Sequence, residues 1–319
     1  MAVAVTAGTP LISNTLRPVS SPAIALTGLT KYYGDARGVM DLDLEVERGE
    51  VFGFLGPNGA GKTTTIRLLI DLIRPTSGSA KVLGLDSVAD TTEIRRRVGY
   101  LPGEMGLWPW MTTRQALDHL STLRGLDGDT HYADLLDRFD VQPDRKISDL
   151  STGNKQKVGI IQAFMHRPEL VILDEPTSGL DPLMQHQAYL LIEEARDDGR
   201  TVFLSSHVLP EVERVARRVG IIRHGHLVEV AEVSALKDRA IRQIELHFGS
   251  SAPSTGQLAA VDGVTAAEVH GDVAHLTVEG SVDALVKALA SYETLSIHTH
   301  ETPLEEIFLR LYRGDGDAG

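Results

Sequence analysis

The 319-residue sequence contains no cysteine, few aromatic residues and a deficit of positive charge. Without a thiol, the chain can form no disulfide, thiolate zinc site, iron–sulfur cluster or cysteine nucleophile. Lysine and arginine number 31 against 44 acidic residues, which gives a formal net charge of −13. This balance argues against a nucleic-acid partner, because such binding needs a broad basic surface.

Long apolar runs are also missing. The longest, such as residues 170–173, are only a handful of residues long, whereas a bilayer span needs roughly 20. Residues 1–22 have no basic residue before Arg17, and Gly8 and Pro10 interrupt their apolar stretch. We predict a disordered leader there rather than a signal peptide. We also expect a cytoplasmic protein, so that any function at a membrane would need another chain to supply the membrane-spanning part.

Residues 23–232 alternate short β-branched runs with helical patterns, which predicts an α/β domain with a parallel sheet. Candidate strands are residues 23–27, 51–55, 170–173, 202–204 and 219–222. The segment 103–167 is helix-patterned, and we interpret it as a helical insertion between strands. RRVGIIRHGHLVEV is interpreted as a hairpin that turns at His224-Gly225.

After Glu232 the pattern changes to alternating strands, with a hairpin turn at Gly271-Asp272. We predict a small α+β domain over residues 233–313, with a loop at 249–257 and a helix capped by Ser281. Thr302 and Glu305 form a capping box for a last helix, PLEEIFLRLY. Residues 314–319 are interpreted as a flexible tail.

The strongest chemical signal is the glycine-rich loop GPNGAGKTT at residues 56–64. It fits G-x-x-x-x-G-K-[ST] with Gly56, Gly61, Lys62 and Thr63, and lies between an apolar strand and a helical run. Such a loop turns successive backbone N–H groups toward one anion, and the helix N-terminus adds its positive dipole end. We predict that Lys62 reaches the β- and γ-phosphates of a nucleotide and that the Thr63 hydroxyl holds Mg²⁺.

Two further apolar strands end in polar side chains. LVILDEP ends with Asp174 and Glu175, and TVFLSSH ends with His207. An isolated Asp-Glu pair is more often the start of a solvated loop, and a lone histidine is usually structural. Because ligands of open α/β sheets bind beyond the carboxyl ends of the strands, we expect all three beside the phosphate loop. Asp174 would face Mg²⁺, and Glu175 would polarise the water that attacks the γ-phosphate.

These motifs together resemble those of the nucleotide-binding subunits of ATP-binding cassette (ABC) transporters, over about residues 23–232. KYYG supplies Tyr33, at the position where the family stacks an aromatic ring on adenine. GPNGAGKTT resembles the Walker A loop, LSTGNKQ (150–156) the signature motif and LVILDEP the Walker B strand. SGLD (178–181) resembles the D-loop, and SSH resembles the segment that ends in the switch histidine.

The resemblance implies an α/β P-loop NTPase fold: a RecA-like core with an antiparallel β subdomain and a helical subdomain, followed here by the small C-terminal α+β domain. It implies ATP hydrolysis with Mg²⁺ held by Thr63 and Asp174, and catalysis by Glu175, His207 and Lys62. It assigns ATP contacts to Tyr33, Gly56, Asn58, Gly59, Ala60, Gly61, Lys62, Thr63, Thr64, Ser151, Gly153, Asn154 and Asp181.

The family works as a head-to-tail pair of nucleotide domains, so the resemblance implies a second copy of this chain and an integral membrane permease as partners. In that pair, Ser151 and Gly153 would contact the γ-phosphate bound by the other copy. The sequence departs from the family where GYLP is followed by Gly103-Glu104 instead of glutamine, with Glu104 as the candidate substitute. The signature also reads LSTGN rather than LSGGQ.

The strings YLPGE and PLEEIFLRLY and the GN signature resemble the antibiotic- and drug-efflux branch of the exporters, in which the permease is a separate chain. The implied location is the cytoplasmic face of the cell membrane. GLWPWM carries both tryptophans, Trp108 and Trp110, where exporter permeases dock, although both could instead pack inside the helical subdomain. An importer subunit and a soluble regulatory ATPase stay open as alternatives.

Several histidines cluster in the C-terminal sequence. His298 and His300 point to one face of a predicted strand, and His247, His270 and His275 are nearby in sequence. They could form a metal site, but the acidic residues lack clear ligand spacing, and exposed histidines on strands are common. The sequence therefore favours solvent-exposed histidines.

Overall fold

The computed structural model describes residues 21–126, 131–238, 241–250 and 252–301. The predicted tail, the capping box at Thr302 and its helix lie outside these residues, as does the leader up to residue 20. From the N-terminus the elements are β1 (Ile24–Tyr33), β2 (Ala36–Val46), β3 (Val51–Leu55), α1 (Lys62–Leu69), β4 (Ser77–Val82), β5 (Leu85–Asp86), α2 (Thr91–Arg97), β6 (Val98–Leu101), α3 (Thr113–Leu123) and α4 (Tyr132–Arg138).

The chain continues through a 3₁₀ turn (Ile147–Asp149), α5 (Thr152–Phe164), β7 (Leu170–Asp174), α6 (Pro182–Asp197), β8 (Thr201–Ser206), α7 (Leu209–Val215), β9 (Arg218–Arg223) and β10 (His226–Glu232). The C-terminal elements are α8 (Val233–Asp238), β11 (Ile241–Phe248), α9 (Thr255–Ala259), β12 (Val264–His270), β13 (Val273–Glu279), α10 (Asp283–Leu289) and β14 (Thr294–Glu301).

The central sheet has six strands in the order β10-β9-β3-β8-β7-β6. All neighbouring pairs are parallel except the β9–β10 hairpin, which turns at His224-Gly225 as predicted. The strands β3, β7 and β8 are therefore adjacent and point the same way. Their carboxyl ends meet at one edge, which is where the sequence predicts the site.

The central sheet separates two hydrophobic cores because its strands alternate side chains between its faces. Phe52, Phe54 and Phe203 enter the core shared with the antiparallel sheet β2-β1-β4-β5. Val51 and Leu55 enter the other core, which includes residues of α3, α4, α5 and α6. The sheet is thus covered on both sides, as parallel sheets require.

The predicted helical insertion contains α3, α4 and α5, and it lies between the parallel neighbours β6 and β7. Thr112 and Gln115 form a capping box at the start of α3. Local sequence patterns predict neither the full length of β1 nor the strands β2, β4 and β5. Those strands build the antiparallel sheet that packs over the central one.

The C-terminal strands form a third sheet, in the order β12-β13-β11-β14, with every neighbouring pair antiparallel. Its inner face packs on Leu258, Leu285 and Leu289 to give a separate small core. The predicted loop at 249–257 is wrong in part, because α9 starts at Thr255 with a capping box between Ser254 and Gln257. Ser281 does accept a hydrogen bond from the Asp283 N–H, but the residue that flanks α10 is Val282.

Candidate active site

The glycine-rich loop joins the end of β3 to the start of α1. Gly61 is the N-cap residue of α1 and has a φ of 113°, a conformation that favours glycine. A Cβ atom there would also lie 2.7 Å from Val39 Cγ1. No side chain caps the start of α1, so its first N–H groups, which have no partner within the helix, are left to bind an anion at the loop.

Beside this loop is a cavity of about 230 Å³. Tyr33 borders it from the end of β1 with a ring that is 45% exposed, and Arg37 and Gly38 border it from β2. The remaining lining residues are Pro57, Asn58, Gly59, Gly61, Lys62, Thr63, Thr64 and Glu175. Two other predicted residues support the loop instead: Ala60 is buried, and Gly56 donates its N–H to the Ser206 carbonyl.

Lys62 is a buried cation at the base of the cavity. Its Nζ donates hydrogen bonds to the Gly56 carbonyl at 2.6 Å and the Pro57 carbonyl at 3.2 Å. Glu175 Oε1 lies 3.3 Å from the same Nζ, within ion-pair distance, yet this oxygen is buried and has no hydrogen-bonded partner. The cavity therefore has a positive group and an unsatisfied acceptor side by side.

Glu175 is held by both its backbone and its carboxylate. It has a φ of 51°, which is uncommon for a residue other than glycine and marks a strained position. Its N–H lies 3.2 Å from the Ser205 carbonyl and 3.3 Å from the Ser205 hydroxyl, so β8 fixes the turn. Its Oε2 lies 2.8 Å from His207 Nδ1, so the predicted catalytic residues Lys62, Glu175 and His207 form a connected line.

Thr63 and Asp174 are brought together as the sequence predicts. The Thr63 hydroxyl donates to Asp174 Oδ2 at 2.8 Å, and the Ser205 hydroxyl donates to Asp174 Oδ1 at 2.5 Å. Asp174 is buried. Its carboxylate and the Thr63 hydroxyl together offer only oxygen atoms as metal ligands. Hydroxyl and carboxylate oxygens suit Mg²⁺, so these residues fit the metal that the sequence predicts.

The position that departs from the family also borders this pair. A Cβ atom on Gly103 would lie 3.3 Å from Asp174 Oδ2, so the side-chain position faces the carboxylate, but glycine supplies no side-chain donor there. The neighbouring Glu104 is exposed.

Burial raises the pKa of Tyr100, two residues before Pro102, to about 12, and the charge of Asp174 adds to the increase. Tyr100 therefore keeps its proton and cannot act as a base.

The signature and D-loop residues do not line this cavity. Ser151 is the N-cap of α5 and accepts a hydrogen bond from the Asn154 N–H at 3.3 Å. A Cβ atom on Gly153 would lie 2.6 Å from the Gly179 carbonyl, so the two motifs are packed together. Asp181 caps α6 by accepting from the Met184 N–H at 3.0 Å. These four predicted contacts thus form a second group, apart from the cavity of their own chain.

Three residues of the site were missed by the sequence analysis. Ser205 orients Asp174, although the pattern TVFLSSH points only to His207. Gln156 lies within the signature string and donates its Nε2 to the carbonyls of Glu175 and Pro176, both at 3.1 Å. It thereby ties α5 to the catalytic turn. Arg37 pairs with Tyr32 across the strands β1 and β2, a relationship that only the register of the pair reveals.

The two tryptophans have different environments. Trp108 packs against the core of the helical segment, with its ring edge-on to His119 at 4.9 Å between centroids. Trp110 is 69% exposed. Among the described residues there is no group of three or more His, Asp or Glu side chains placed to hold a metal ion.

Comparison with known proteins identifies the family. The family model described as ABC transporter matches residues 39–178. The bacitracin transport ATP-binding protein of Bacillus licheniformis is 35% identical over 302 residues, which cover 92% of this chain and 98% of that protein. The chain belongs to the ABC transporter family. It is the ATP-binding, ATP-hydrolysing subunit of a transporter.

A second relative of the ABC ATPase is the daunorubicin/doxorubicin resistance ATP-binding protein of Streptomyces peucetius, at 32% identity over 91% of this chain and 92% of that protein. A solved structure described as the ATP binding subunit of an ABC transporter superposes with a TM-score of 0.63 at 29% identity, and covers 67% of this chain and 92% of that one. No helix among the described residues is both long and apolar enough to span a bilayer.

Proposed function

We propose that this ABC ATPase powers the export of drugs, antibiotics or lipid-like molecules through a separate membrane permease, at the cytoplasmic face of the membrane. The observation that carries the hydrolytic part is the line Lys62–Glu175–His207 beside the buried Asp174. The export part is supported by the two relatives, whose names refer to bacitracin transport and to daunorubicin/doxorubicin resistance.

ATP is bound with its adenine on Tyr33 and its phosphates on the glycine-rich loop. The N–H groups at the start of α1 and the Lys62 ammonium contact the β- and γ-phosphates. To do so, Lys62 gives up its hydrogen bond to the Pro57 carbonyl and its contact with Glu175. Thr63 and Asp174 would hold Mg²⁺, which would supply positive charge to the phosphate oxygens.

Glu175 acts on the attacking water. Its Oε1 is the unsatisfied acceptor in the cavity, so it can accept a hydrogen bond from water and orient the water oxygen toward the γ-phosphorus. The new P–O bond forms as the bond to the bridging oxygen of ADP breaks, and Glu175 takes up the proton that the water loses; the products are ADP and inorganic phosphate. His207 holds Glu175 through Oε2 and reaches toward the γ-phosphate with its other ring nitrogen.

The second group of motif residues serves a second copy of the chain. Ser151, Gly153, Asn154 and Asp181 lie outside their own cavity, at the N-terminal ends of α5 and α6. The start of a 13-residue helix is a second anion site, suited to the γ-phosphate bound by a partner copy. ATP thus closes a head-to-tail pair, and the catalytic turn communicates with α5 through Gln156.

The permease docks on the helical segment. Trp110 is a large aromatic ring left in solvent, the type of residue that anchors protein interfaces. Trp108 supports the segment from inside. The described residues from Ile241 to Glu301 have a sheet and a core of their own, which supports an accessory domain separate from the ATPase domain proposed over residues 23–232.

Co-purification tests the transport assignment. The tagged Glu175→Gln variant is expressed in the native host, membranes are extracted in detergent with ATP, and bound proteins are identified by mass spectrometry. We expect a polytopic membrane protein in stoichiometric amount, and its loss in a second variant that also carries Trp110→Ala. Recovery from the soluble fraction alone would instead support a soluble regulatory ATPase, and a permease that carries a substrate-binding protein would support an importer.

A further inference from the structure

The C-terminal sheet covers its core with one face and leaves the other face exposed. On the exposed face, the strand register aligns one residue from each strand in a single row. Glu268 of β12 pairs with His275 of β13, His275 pairs with Glu245 of β11, and Glu245 pairs with His298 of β14. Across the sheet the row therefore reads Glu–His–Glu–His. With strands about 4.8 Å apart, it spans about 14 Å.

An alternating row of four is complementary to itself. A second sheet can face the first after a half-turn about an axis that runs parallel to the strands, between β13 and β11. This rotation reverses the order of the row, so Glu268 comes opposite His298 of the other copy, and His275 comes opposite Glu245. All four positions then pair an acid with a histidine. A half-turn about the axis that runs across the strands, in the plane between the two sheets, would instead place each residue of the row opposite its own copy. The row therefore favours the first orientation.

We propose that this face is a docking surface for the same face of a second copy of the chain, formed when the histidines of the row are protonated. The contact is isologous and packs the two sheets with their strands aligned. It lies in the accessory domain and is distinct from the ATP-mediated pair, so it stands whether or not the proposed export function is correct.

The other charged positions on the face are compatible with this pairing. His247 lies two residues beyond Glu245 on β11, and the half-turn brings it opposite Val273 of the other copy. His270 comes opposite Ser296, and the position of His300 comes opposite that of Ala266. Glu279 comes opposite the position of Ile241. No two like charges oppose each other on the strand positions of the described sheet, so the arrangement avoids the repulsion that would prevent a face from meeting itself.

The same residues make the contact sensitive to pH. An imidazole ordinarily gains its proton as the pH falls through about 6.5. The hydrogen bond from His247 lowers the pKa of Glu245, with smaller contributions from His275 and His298, so this carboxylate stays charged over that range. Protonated histidines give the row alternating charges, which is the condition for the pairing.

Sedimentation equilibrium of the full-length chain without nucleotide tests the proposal directly. We expect the dimer dissociation constant to fall about tenfold or more between pH 8 and pH 6, because four exposed ion pairs form, and to rise again with added salt. A chain that stays monomeric at pH 6, or a dimer that is equally tight at both pH values, would overturn the proposal. This measurement needs no variant and so does not depend on a substitution that folds.

Two complementary variants then test the pairing itself. His275→Glu opposes two acids at the centre of the pair, and Glu245→His opposes two histidines, so each variant alone should lose its dimer at pH 6. An equal mixture should regain it, because every position of a mixed pair is again acid against histidine. Both variants must show the thermal melt of the parent. Failure of the folded variants to pair on mixing would contradict the assigned orientation, because no contact within one chain changes on mixing.

Discussion

Glu175 and His207 are joined by a contact of 2.8 Å between Oε2 and Nδ1, across the ends of two adjacent parallel strands. The contact leaves Glu175 Oε1 turned toward Lys62, where it is buried and has no hydrogen-bonded partner. One carboxylate oxygen thus fixes the side chain through His207, and the other faces the Lys62 ammonium.

Glu175→Gln should reduce ATP turnover on the order of 100-fold or more, because an amide orients water poorly and cannot take up a proton. ATP binding should persist, since Lys62 and the loop are intact. Turnover is measured as phosphate release, and binding by calorimetry. Glu45→Gln, at an exposed position on β2, is the matched control and should behave as the parent. Near-normal turnover in Glu175→Gln would remove Glu175 from this role.

Tyr33→Ala should weaken ATP binding by roughly 1–3 kcal/mol, the scale of one base–aromatic stack. Tyr33 borders the cavity, and Lys31 Nζ lies 5.5 Å from the centre of its ring. The preceding residue offers a close control, because Tyr32 is also exposed but does not line the cavity. Titration with a fluorescent ATP analogue distinguishes the two variants. Equal affinities for both would refute stacking on Tyr33.

Ser205→Ala should raise the Mg²⁺ concentration that half-saturates the enzyme by about tenfold, because Asp174 loses the hydroxyl that orients its carboxylate. Mn²⁺ binding, followed by electron paramagnetic resonance, gives a readout that does not depend on turnover. In the control, Ser206→Ala, the lost hydroxyl contacts Glu211 and the Val208 carbonyl instead. If both variants change metal binding equally, the effect is a general loosening of β8.

His166 should make the fold sensitive to acid. Burial, together with the charge of Arg124, lowers the pKa of His166 to about 4, and Arg124 Nη1 lies 2.9 Å from its Nε2. The unfolded chain, with an ordinary pKa of 6.5, takes up this proton more readily. The stability from this site is therefore complete above pH 6.5 and is lost as the pH falls toward 4, by about 3 kcal/mol in total.

Urea unfolding of the parent and of His166→Gln between pH 7 and pH 4.5 measures this contribution. Glutamine can accept a hydrogen bond from Arg124 but does not titrate, so the variant should lose less stability over this range than the parent. Carboxylates such as Glu169, whose pKa is lowered by Arg97, titrate in both proteins and cancel in the comparison. Identical slopes in the two proteins would show that His166 is not the titrating group.

Much of the catalytic centre could be predicted from the sequence because it depends on short, ordered patterns. The glycine-rich loop fixes its own conformation, and Asp174, Glu175 and His207 each follow an apolar strand. Once these strands are taken as parallel neighbours, their ends must meet at one edge. The roles of Ser205 and Gln156 could not be derived this way, because a serine in a strand or a glutamine in a helix has no pattern that reveals its partner.

The sequence by itself therefore determined the family, the nucleotide loop and the polar residues at the strand ends, since each is encoded by residues close together in the chain. The tertiary structure alone decided which oxygen of Glu175 faces Lys62, which tryptophan faces solvent, and that the signature residues lie outside their own cavity. It also decided that four residues from four strands, Glu268 to His298, form one alternating row. Strand register and side-chain packing are long-range properties, and local periodicity carries no record of them.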